Sequence, residues 1–530
     1  MAMVPDILLL SEEDFNPQQN WLNEVNTLLG LVGRGLRLPH DIHMSTTLLA
    51  SVLQREGFTC ELADNFLHLP PQTARFERLL SHQPRAVGLS TTFLFSEDTI
   101  QDITRRIRKL SPDSLIILGG PSILQFPEWR RYGDITVLYD GERALPAVLK
   151  TLKSGGELRD IPGIEFEENG RRVLTGPAEF TPVCELPSPD WSYLKHGRRG
   201  VYPIETQRGC AYKCKFCTHP IYSPGAKGER QHPISRIIEE LRNNYERWGI
   251  TYYRFIDSTF TFPPKRAEQL CREMIRLKLP LQWSCYGRTD NMTPELAGAM
   301  AEAGCRCIFF GIESGDDAML KRMRKDLTID EIYAGLEIVH RHSIASMGSF
   351  VVGYPGETET SAENTQKLIL QAGFSLISAG PFWLDYNSPA WDLREEYGLS
   401  GRADCWRHKT MDSKQAAKLT GRLLRNVLMK NASRLGLDFM LASTVGLGLE
   451  YDEALSYMLS KGLLVNYRLA KQARQPLNCF DPMEVQSAQR RYEALATKIA
   501  GFSRRYWTQS SSGKYDNIMQ LRVRANEMLK

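Results

Sequence analysis

The chain has 530 residues, too many for one hydrophobic core, so about three domains are expected. Hydrophobic residues make up 42% of the chain and charged residues 24%, as in ordinary globular proteins. The formal net charge of +4 comes from 66 basic and 62 acidic residues, and this balance argues against a nucleic-acid-binding protein.

The first residues, MAMVPDILLLSEEDF, lack the basic start of a secretory signal. No apolar run reaches the ~18 residues that a membrane helix needs. We therefore expect a cytoplasmic protein that makes no membrane contact and whose thiols stay reduced. In that compartment the eleven cysteines do not form a disulfide framework.

The first 152 residues alternate short apolar runs with helical patterns. Strands are predicted at 6–10, 59–65, 86–92 and 115–121, and helices at 45–58 and 96–110. The segment 135–152 is predicted as a strand, a turn and a helix. This alternation predicts a doubly wound, Rossmann-like α/β domain over 1–152, with its ligand site at the carboxyl ends of the strands. Residues 153–198 are predicted to form a hairpin with an Asn-Gly turn, followed by a Pro-rich linker.

The alternation resumes with a longer period over 199–395. Six strands are predicted, beginning near residues 202, 252, 281, 305, 345 and 376, with amphipathic helices between them. Six βα units predict a partial (βα)6 barrel, because a complete eight-unit barrel needs about 250 residues. Strand signals fade after this point, and a C-terminal helical domain is predicted over 396–530.

Three cysteines fall within eight positions of the segment RGCAYKCKFCTHP, namely Cys210, Cys214 and Cys217. Soft thiolates at close spacing select zinc, copper(I) or an iron–sulfur cluster. A structural zinc site closes with four ligands, and His219 is the nearby candidate for the fourth. A further alternative is three unrelated buried cysteines. The segment follows a strand at the carboxyl end of the predicted barrel, where active sites form.

The spacing C-x3-C-x2-C, with the aromatic Phe216 before the last cysteine, resembles the radical SAM superfamily. Later motifs fall in the order typical of that family: FIDSTFTF, YGRTD, FFGIESGDD and SFVVGYPGET. The resemblance implies a [4Fe-4S] cluster on Cys210, Cys214 and Cys217, with the fourth iron open to S-adenosylmethionine (SAM). The cofactor-binding residues that it implies in the barrel are Phe216, Arg288, Glu313 and Ser314.

The doubly wound domain ahead of the barrel resembles the cobalamin-binding class of this superfamily. The resemblance is carried by LIILGGPS, YDGERALPAVL and the linker LPSPDW. It implies a cobalamin pocket at the strand ends. The residues expected in this pocket are Ser90, Thr91, Thr92, Gly119, Gly120, Pro121, Gly141 and Glu142.

A family signature for the lower ligand of cobalt, Asp-x-His-x-x-Gly, is matched only in part. Asp41 and His43 fit the signature, whereas Thr46 stands where the glycine is expected. The resemblance implies that His43 ligates cobalt and that Asp41 orients its imidazole. The alternative is a polar loop that caps a helix. An insertion at roughly 15–40 separates the first strand from the first helix.

These resemblances predict a cobalamin-dependent radical SAM enzyme that methylates an unactivated carbon of a small-molecule or natural-product intermediate. The scheme uses a 5′-deoxyadenosyl radical, methylcobalamin and an external electron donor such as flavodoxin or ferredoxin; a peptide substrate is also considered. One alternative replaces methylation by a rearrangement, cyclisation or dehydration, with or without bound cobalamin. Another is a non-enzymatic zinc or iron–sulfur module.

No side chain stands out in the sequence as a catalytic acid or base. Trp383, Asp385 and Tyr386 follow the last barrel strand and are candidates for the substrate pocket, although aromatic residues there are also typical of a core. The C-terminal helices are expected to close the mouth of the barrel.

Overall fold

The computed structural model describes residues 4–14, 42–67, 70–194, 200–219, 230–436 and 438–507. Asp41 and the 15–40 insertion lie outside these described residues. The first sheet contains seven strands: β1 Ile7–Glu13, β2 Cys60–Asp64, β3 Ala86–Phe93, β4 Leu115–Gly119, β5 Ile135–Val137, β6 Ile164–Glu168 and β7 Arg171–Leu174. The five strands predicted in this part of the sequence are therefore all present.

Helices cover both faces of this sheet. They are α1 Met44–Arg55, α2 Pro70–Ser81, α3 Glu97–Leu110, α4 Ser122–Gln125 and α5 Gly141–Ser154. Sequence analysis did not predict α2, because it begins with two prolines, which are usually loop signals although proline is tolerated in the first helical turn.

The strand order of the first sheet is β2-β1-β3-β4-β5-β6-β7, and its first five strands are parallel. The chain reverses its direction of winding between β1 and β3, which confirms the doubly wound fold and places its ligand crevice at the carboxyl ends of these strands. The β6–β7 hairpin pairs antiparallel with β5. The hairpin therefore extends this sheet. The domain boundaries expected from the sequence stay a prediction.

The second sheet is open and parallel, with the order β18-β15-β14-β13-β12-β11-β8. Its strands are β8 Tyr202–Ile204, β11 Tyr252–Phe255, β12 Gln282–Gly287, β13 Cys305–Glu313, β14 Ala345–Val352, β15 Leu376–Pro381 and β18 Arg434–Leu435. Two short ladders accompany it: β9 Gln207–Arg208 with β10 Arg230–Gln231, and β16 Ser400–Arg402 with β17 Cys405–Arg407. The six predicted strands are confirmed, and the two-residue strand β18 joins the edge.

Helices cover the outer face of this open barrel. They are α6 Ile234–Trp248, α7 Pro264–Arg276, α8 Pro294–Glu302, α9 Asp317–Arg322, α10 Ile329–Arg341 and α11 Glu359–Ala372. Alternate strand residues such as Trp283 and Phe310 point outward into the core that these helices share.

The C-terminal part contains the short helix α12 Arg394–Tyr397 and the helices α13 Ser413–Met429, α14 Asp438–Gly446, α15 Tyr451–Gln472 and α16 Pro482–Trp507. Leu441 and Tyr451, from α14 and α15, pack against Cys307, Phe309 and Met347 on the inner face of the barrel.

The sequence analysis expected these helices at the mouth of the barrel, where the carboxyl ends of the strands lie. They lie instead at the opposite end. Asp452 accepts hydrogen bonds from Gln282 (2.7 Å) and Arg306 (3.0 Å), which lie where β12 and β13 begin. Tyr252, at the start of β11, donates to Glu450. The helices therefore cover the amino ends of the strands. Ser349, further along the inner face of β14, is exposed, so the carboxyl half of this face stays open.

Candidate active site

The cysteine loop leaves the barrel at the end of β8 and is fixed there by Asp257. One carboxylate oxygen accepts hydrogen bonds from the backbone N–H groups of Thr206 (2.7 Å) and Gln207 (3.1 Å), and the other accepts from the Thr206 hydroxyl. Burial raises the pKa of Asp257 to about 7, although these hydrogen bonds lower it. The loop therefore starts from an anchored position.

The three cysteines of the loop lie in one shared environment. Cys214 is buried, and Cys210 and Cys217 are half-buried. The Cys217 N–H donates to the Cys214 carbonyl at 3.2 Å, which closes a tight turn. The pKa of Cys217 is raised to about 11, mainly by burial and to a smaller extent by the neighbouring thiols Cys214 and Cys210. The Cys217 thiol is therefore close enough to the other two to interact with them electrostatically.

The donor set, three thiols with basic side chains beside them, fits an anionic iron–sulfur cluster. Burial raises the pKa of Cys214, while Lys325 and Arg288 lower it. Nearby cations favour thiolate ligands, and thiolates at cluster spacing are the ligands of [4Fe-4S] centres.

Glu313 lies at the carboxyl end of β13 in a conformation that is rare for residues other than glycine. Its φ is +71°, and the register with β14 shifts between Gly311 and Glu313. Its Oε1 lies 3.2 Å from the Lys325 Nζ, and both side chains are buried. A Cβ on Gly311 would come within 2.6 Å of that same oxygen. Backbone outliers of this kind cluster at functional sites, and Glu313 stays a predicted site residue.

Arg288 joins the cysteine loop to the segment that carries Lys325. Its Nη1 donates to the Lys325 carbonyl at 2.8 Å and its Nη2 to the Asp326 carbonyl at 2.7 Å. Its Nε and Nη2 also contact the two Asp290 oxygens, at 3.0 and 2.9 Å. The guanidinium carbon lies 3.8 Å from the centre of the Tyr212 ring in the cysteine loop. Most of its donors are thus engaged within the protein.

The other two barrel residues expected at the cofactor site differ in their surroundings. The ring of Phe216 packs with Met319, Met323 and Tyr354, and Lys325 Nζ lies 5.8 Å from its centre. Ser314 is fully buried, and its hydroxyl lies 3.3 Å from that of Thr365 on α11. Phe216 therefore lies beside the Glu313–Lys325 pair, whereas Ser314 is turned toward a helix.

Hydroxyl residues and glycines line the carboxyl ends of β3 and β4, where the cobalamin pocket was expected. The Ser90 and Thr92 hydroxyls lie 2.9 Å apart, and Thr91 donates to the Gly119 carbonyl at 3.0 Å. Gly120 has a φ of +106°, and a Cβ there would lie 3.0 Å from the Thr92 backbone nitrogen. Only glycine therefore permits this close approach of the two strand ends.

Pro121, Gly141 and Glu142 occupy the same edge of the first sheet. Pro121 is the N-cap residue of α4, while Gly141 and Glu142 begin α5. One Glu142 oxygen binds Arg208, and the other is buried without a hydrogen-bond partner among the described residues. An unpaired buried carboxylate oxygen is costly, so this edge fits a ligand that carries hydrogen-bond donors, as cobalamin does through its amide side chains.

His43 is the N-cap residue of α1 and is buried, with an exposed fraction of 2%. Its Nε2 lies 3.5 Å from Glu13 Oε1, and its ring meets the edge of Phe93 at a centroid distance of 5.3 Å. The described contacts of the imidazole are thus inside the first domain. Ligation of cobalt by His43 stays a prediction.

The carboxyl ends of the two sheets face each other. Trp383, which follows β15, packs on the apolar cluster of the first sheet. Asn387 donates to the Leu124 carbonyl at 3.0 Å. Asp385 is buried and accepts from the Asn387 N–H, whereas Tyr386 is exposed. Of the three candidates for the substrate pocket, Trp383 therefore contributes to the contact between the sheets.

Sequence reasoning missed the charged side chains that hold the site together, namely Lys325, Asp257 and Arg208. Lys325 lies in the run LKRMRKD, where no spacing distinguishes it from its basic neighbours. Asp257 falls inside the recognised motif FIDSTFTF, and a carboxylate directly after a buried strand was a usable signal.

Family comparisons agree with this division of the chain. A sequence model of the B12 binding domain matches residues 38–149, and one of the radical SAM superfamily matches residues 204–369. The chain carries a domain of the radical SAM superfamily and, ahead of it, a B12-binding domain. The two matches fall on the first sheet and on the open barrel. No helix among the described residues is long and apolar enough to cross a membrane.

Curated relatives of this radical SAM chain include methyltransferases and a cyclase. An uncharacterised methyltransferase of Pyrococcus horikoshii is 29% identical, over 54% of this chain and 63% of that protein. The anaerobic magnesium-protoporphyrin IX monomethyl ester cyclase of Rubrivivax gelatinosus is 22% identical, over 55% of each chain. The bacteriochlorophyllide d C-12(1)-methyltransferase of Chlorobaculum tepidum is 30% identical, over 38% of this chain and 47% of that protein. The chain thus spans less than two thirds of these relatives.

Two solved structures share the whole arrangement of domains. TsrM, a radical SAM methyltransferase from Kitasatospora setae solved with cobalamin and a [4Fe-4S] cluster, matches with a TM-score of 0.65 at 17% identity, over 89% of this chain and 100% of that one. The cobalamin-dependent radical SAM enzyme OxsB matches with a TM-score of 0.64 at 16% identity, over 99% of this chain and 84% of that one. At this identity the matches establish the shared fold.

Proposed function

We propose that the protein is a cobalamin-dependent radical SAM enzyme that transfers a methyl group to an unactivated carbon of a small-molecule or natural-product intermediate. The observation that carries the proposal is the contact between the two cofactor-type sites. Asp140 and Glu142, beyond the carboxyl end of β5, contact Arg208 and Arg230 at the base of the cysteine loop. A methyl carrier and a radical source would therefore open onto one shared space.

In this proposal Cys210, Cys214 and Cys217 hold the cluster, and Lys325 and Arg288 offset its negative charge. When bound, the cluster supplies an electron for the reductive cleavage of SAM, and cobalamin supplies a carrier for a methyl group. Glu313 presents a carboxylate at the open end of the barrel, where it can accept hydrogen bonds from an ammonium or a hydroxyl group.

The first sheet would hold cobalamin at the ends of β3, β4 and β5. Ser90, Thr92 and Glu142 offer hydrogen-bonding oxygens there, and Gly120 keeps the backbone close to the ligand. Water is kept from the amino end of the barrel by α14 and α15, which pack on its inner face. Substrate would enter between the two sheets, since the carboxyl half of the inner face is open.

A radical SAM enzyme needs a reductant and a substrate. We propose a flavodoxin or ferredoxin as the reductant and the cytoplasm as the compartment. Both fit a protein that depends on free thiols for its cluster, because thiols stay reduced in the cytoplasm.

Anaerobic reconstitution with iron, sulfide and hydroxocobalamin tests the proposal directly. We expect the purified chain to retain a corrin, detected by its absorbance. With SAM and a strong reductant it should form both 5′-deoxyadenosine and S-adenosylhomocysteine, measured by mass spectrometry. The Cys214→Ala variant serves as the control and should form neither product.

The cyclase relative supports a second candidate, a radical reaction without methyl transfer. This alternative predicts 5′-deoxyadenosine without S-adenosylhomocysteine, even with corrin bound. Absence of bound corrin at micromolar cobalamin would overturn the methyltransferase proposal. A mass gain of one methyl group in a substrate would decide in its favour.

A further inference from the structure

The β9–β10 ladder, in which Gln207 and Arg208 pair with Gln231 and Arg230, forms the base of the cysteine loop. Each of its two strands carries one arginine. Arg208 and Arg230 are direct partners in this ladder. Arg208 precedes the first cysteine by two positions, and Arg230 follows the far end of the loop. Their position relative to each other is thus fixed by backbone pairing, and any group that holds both arginines also holds the base of the loop.

Both arginines bind carboxylates of the B12-binding domain. Arg208 Nη2 lies 2.7 Å from Glu142 Oε1, and Arg208 Nη1 lies 3.4 Å from Asp140 Oδ2. Arg230 Nη1 contacts that same Asp140 oxygen at 2.5 Å. We call these four residues the interdomain clamp. Asp140 is the N-cap residue of α5 and Glu142 lies in its first turn, so the clamp joins the start of a helix in one domain to the loop of the other.

The clamp is buried, which distinguishes it from ordinary surface ion pairs. The side chains of Arg208 and Glu142 are 14% and 8% exposed. Exposed ion pairs contribute little to stability, whereas removal of one partner from a buried pair leaves an uncompensated charge. Arg208 is fixed further by both Glu205 oxygens, each 2.9 Å from its Nε. Loss of either clamp carboxylate is therefore expected to affect the position of the loop.

A separate contact between the two domains lies outside the clamp. Arg402 Nη1 lies 2.6 Å from Glu128 Oε1, and its guanidinium carbon lies 4.4 Å from the centre of the Phe126 ring. This contact involves no residue of the cysteine loop. Among the described residues, the two domains thus meet at two separate contacts, and the clamp is the one that includes residues at the base of the cysteine loop.

We propose that the interdomain clamp positions the B12-binding domain relative to the cysteine loop, so that the two cofactors keep one separation. Arg208, Arg230, Asp140 and Glu142 act in this role as positioning residues. The inference rests on the proposed function in that it assigns cobalamin and cluster to the two sides of the clamp. Beyond the proposed function, the inference identifies the four residues that set the spacing between cobalamin and the cluster.

The test uses the full chain loaded with cob(II)alamin and a reduced cluster. The magnetic interaction between the two centres is measured by EPR in Arg208→Gln, Glu142→Gln, the double variant and Arg208→Lys. We expect the single variants to weaken and broaden the interaction seen in the wild type. The double variant should be no worse than Arg208→Gln, because the Arg208–Glu142 contact is already lost in that single variant. Arg208→Lys should recover part of the signal.

Arg159→Gln is the matched control, since Arg159 forms an exposed ion pair with Glu168 inside the first domain. It should match the wild type in EPR. Arg230→Gln provides a second variant if Arg208→Gln does not fold. An unchanged magnetic interaction in both Arg208→Gln and Arg230→Gln would overturn the clamp, as would additive effects in the double variant.

Small-angle X-ray scattering of cofactor-free protein separates failure of the clamp from failure of the proposed function. Arg208→Gln and Arg230→Gln should have a larger radius of gyration than the wild type and Arg159→Gln. If the wild type binds no cobalamin, the methyltransferase proposal fails while this measurement still tests the clamp. An unchanged radius in both clamp variants would contradict it.

Discussion

Single charged side chains, more than any apolar residue, determine the geometry around the three cysteines. Arg288 stacks on Tyr212 of the loop and ties it to the backbone at Lys325 and Asp326. Lys325 in turn holds Glu313 at the end of β13. The sequence predicted the cysteines and Glu313, because motifs of fixed spacing mark them. It did not predict Lys325, because only the fold brings this lysine to Glu313.

The buried Glu313–Lys325 pair provides a prediction about stability. Lys325→Met leaves the Glu313 carboxylate buried without its partner and should lower the free energy of unfolding by about 3–5 kcal/mol. Glu313→Gln/Lys325→Met removes both charges and should recover most of that loss. Urea unfolding followed by circular dichroism measures the difference. Equal stability of the two variants would contradict a charge-based explanation.

A prediction for the cluster ligands compares two cysteines. Cys214→Ala removes a buried thiol of the loop, so iron and sulfide content after anaerobic reconstitution should fall to background. Cys405 is exposed on β17 and provides the control, since Cys405→Ala leaves the loop intact. Its iron content should equal that of the wild type. Full iron content in Cys214→Ala would show that this thiol is not a ligand.

At the scale of elements, hydrophobic runs and helical spacing were sufficient to place the longer strands of both sheets. Every predicted barrel strand is buried on at least one face, so its apolar pattern carries the signal. The short strands β16, β17 and β18 were missed, because two or three residues are too few for a pattern. The β6–β7 hairpin was predicted as a unit, but its pairing with β5 depends on tertiary contacts.

The turn after β14 contains a buried carboxyl whose titration should be visible in stability. Glu357 is 1% exposed and accepts the Gly353 N–H, and burial raises its pKa to about 7 although this hydrogen bond lowers it. Because the pKa of Glu357 is raised in the folded state, the protonated carboxyl contributes fully to stability below about pH 4.5. This contribution is lost as the pH rises through 7.

In Glu357→Gln the side-chain amide oxygen can still accept the Gly353 N–H, but the side chain no longer titrates. Melting temperatures of wild type and variant should therefore diverge between pH 5 and pH 8, with the wild type losing more stability over this interval. Glu359→Gln, an exposed neighbour on α11, is the control and should follow the wild type. Parallel curves for all three proteins would show that Glu357 titrates normally.

At the scale of the whole molecule, the chain places two sheets with their carboxyl ends toward each other. Composition and hydrophobic pattern predicted both sheets, but they carry no information on how the sheets meet. The interface depends on Arg208, Arg230 and Arg402, which are ordinary surface arginines when read in sequence. Arginine side chains are suited to this role because they form several directed hydrogen bonds to carboxylates at once.

The helices α14 and α15 on the inner face of the barrel also determine when the fold can be completed. During synthesis the barrel strands leave the ribosome well before residue 438, where α14 begins. Until then Phe309 and Met347 line an apolar trough without its cover. A chain ended at residue 436 should aggregate on expression, whereas one ended at 507 should stay in solution. The nascent protein thus passes through a stage with an uncovered apolar face, and slow translation of its last quarter would prolong that stage.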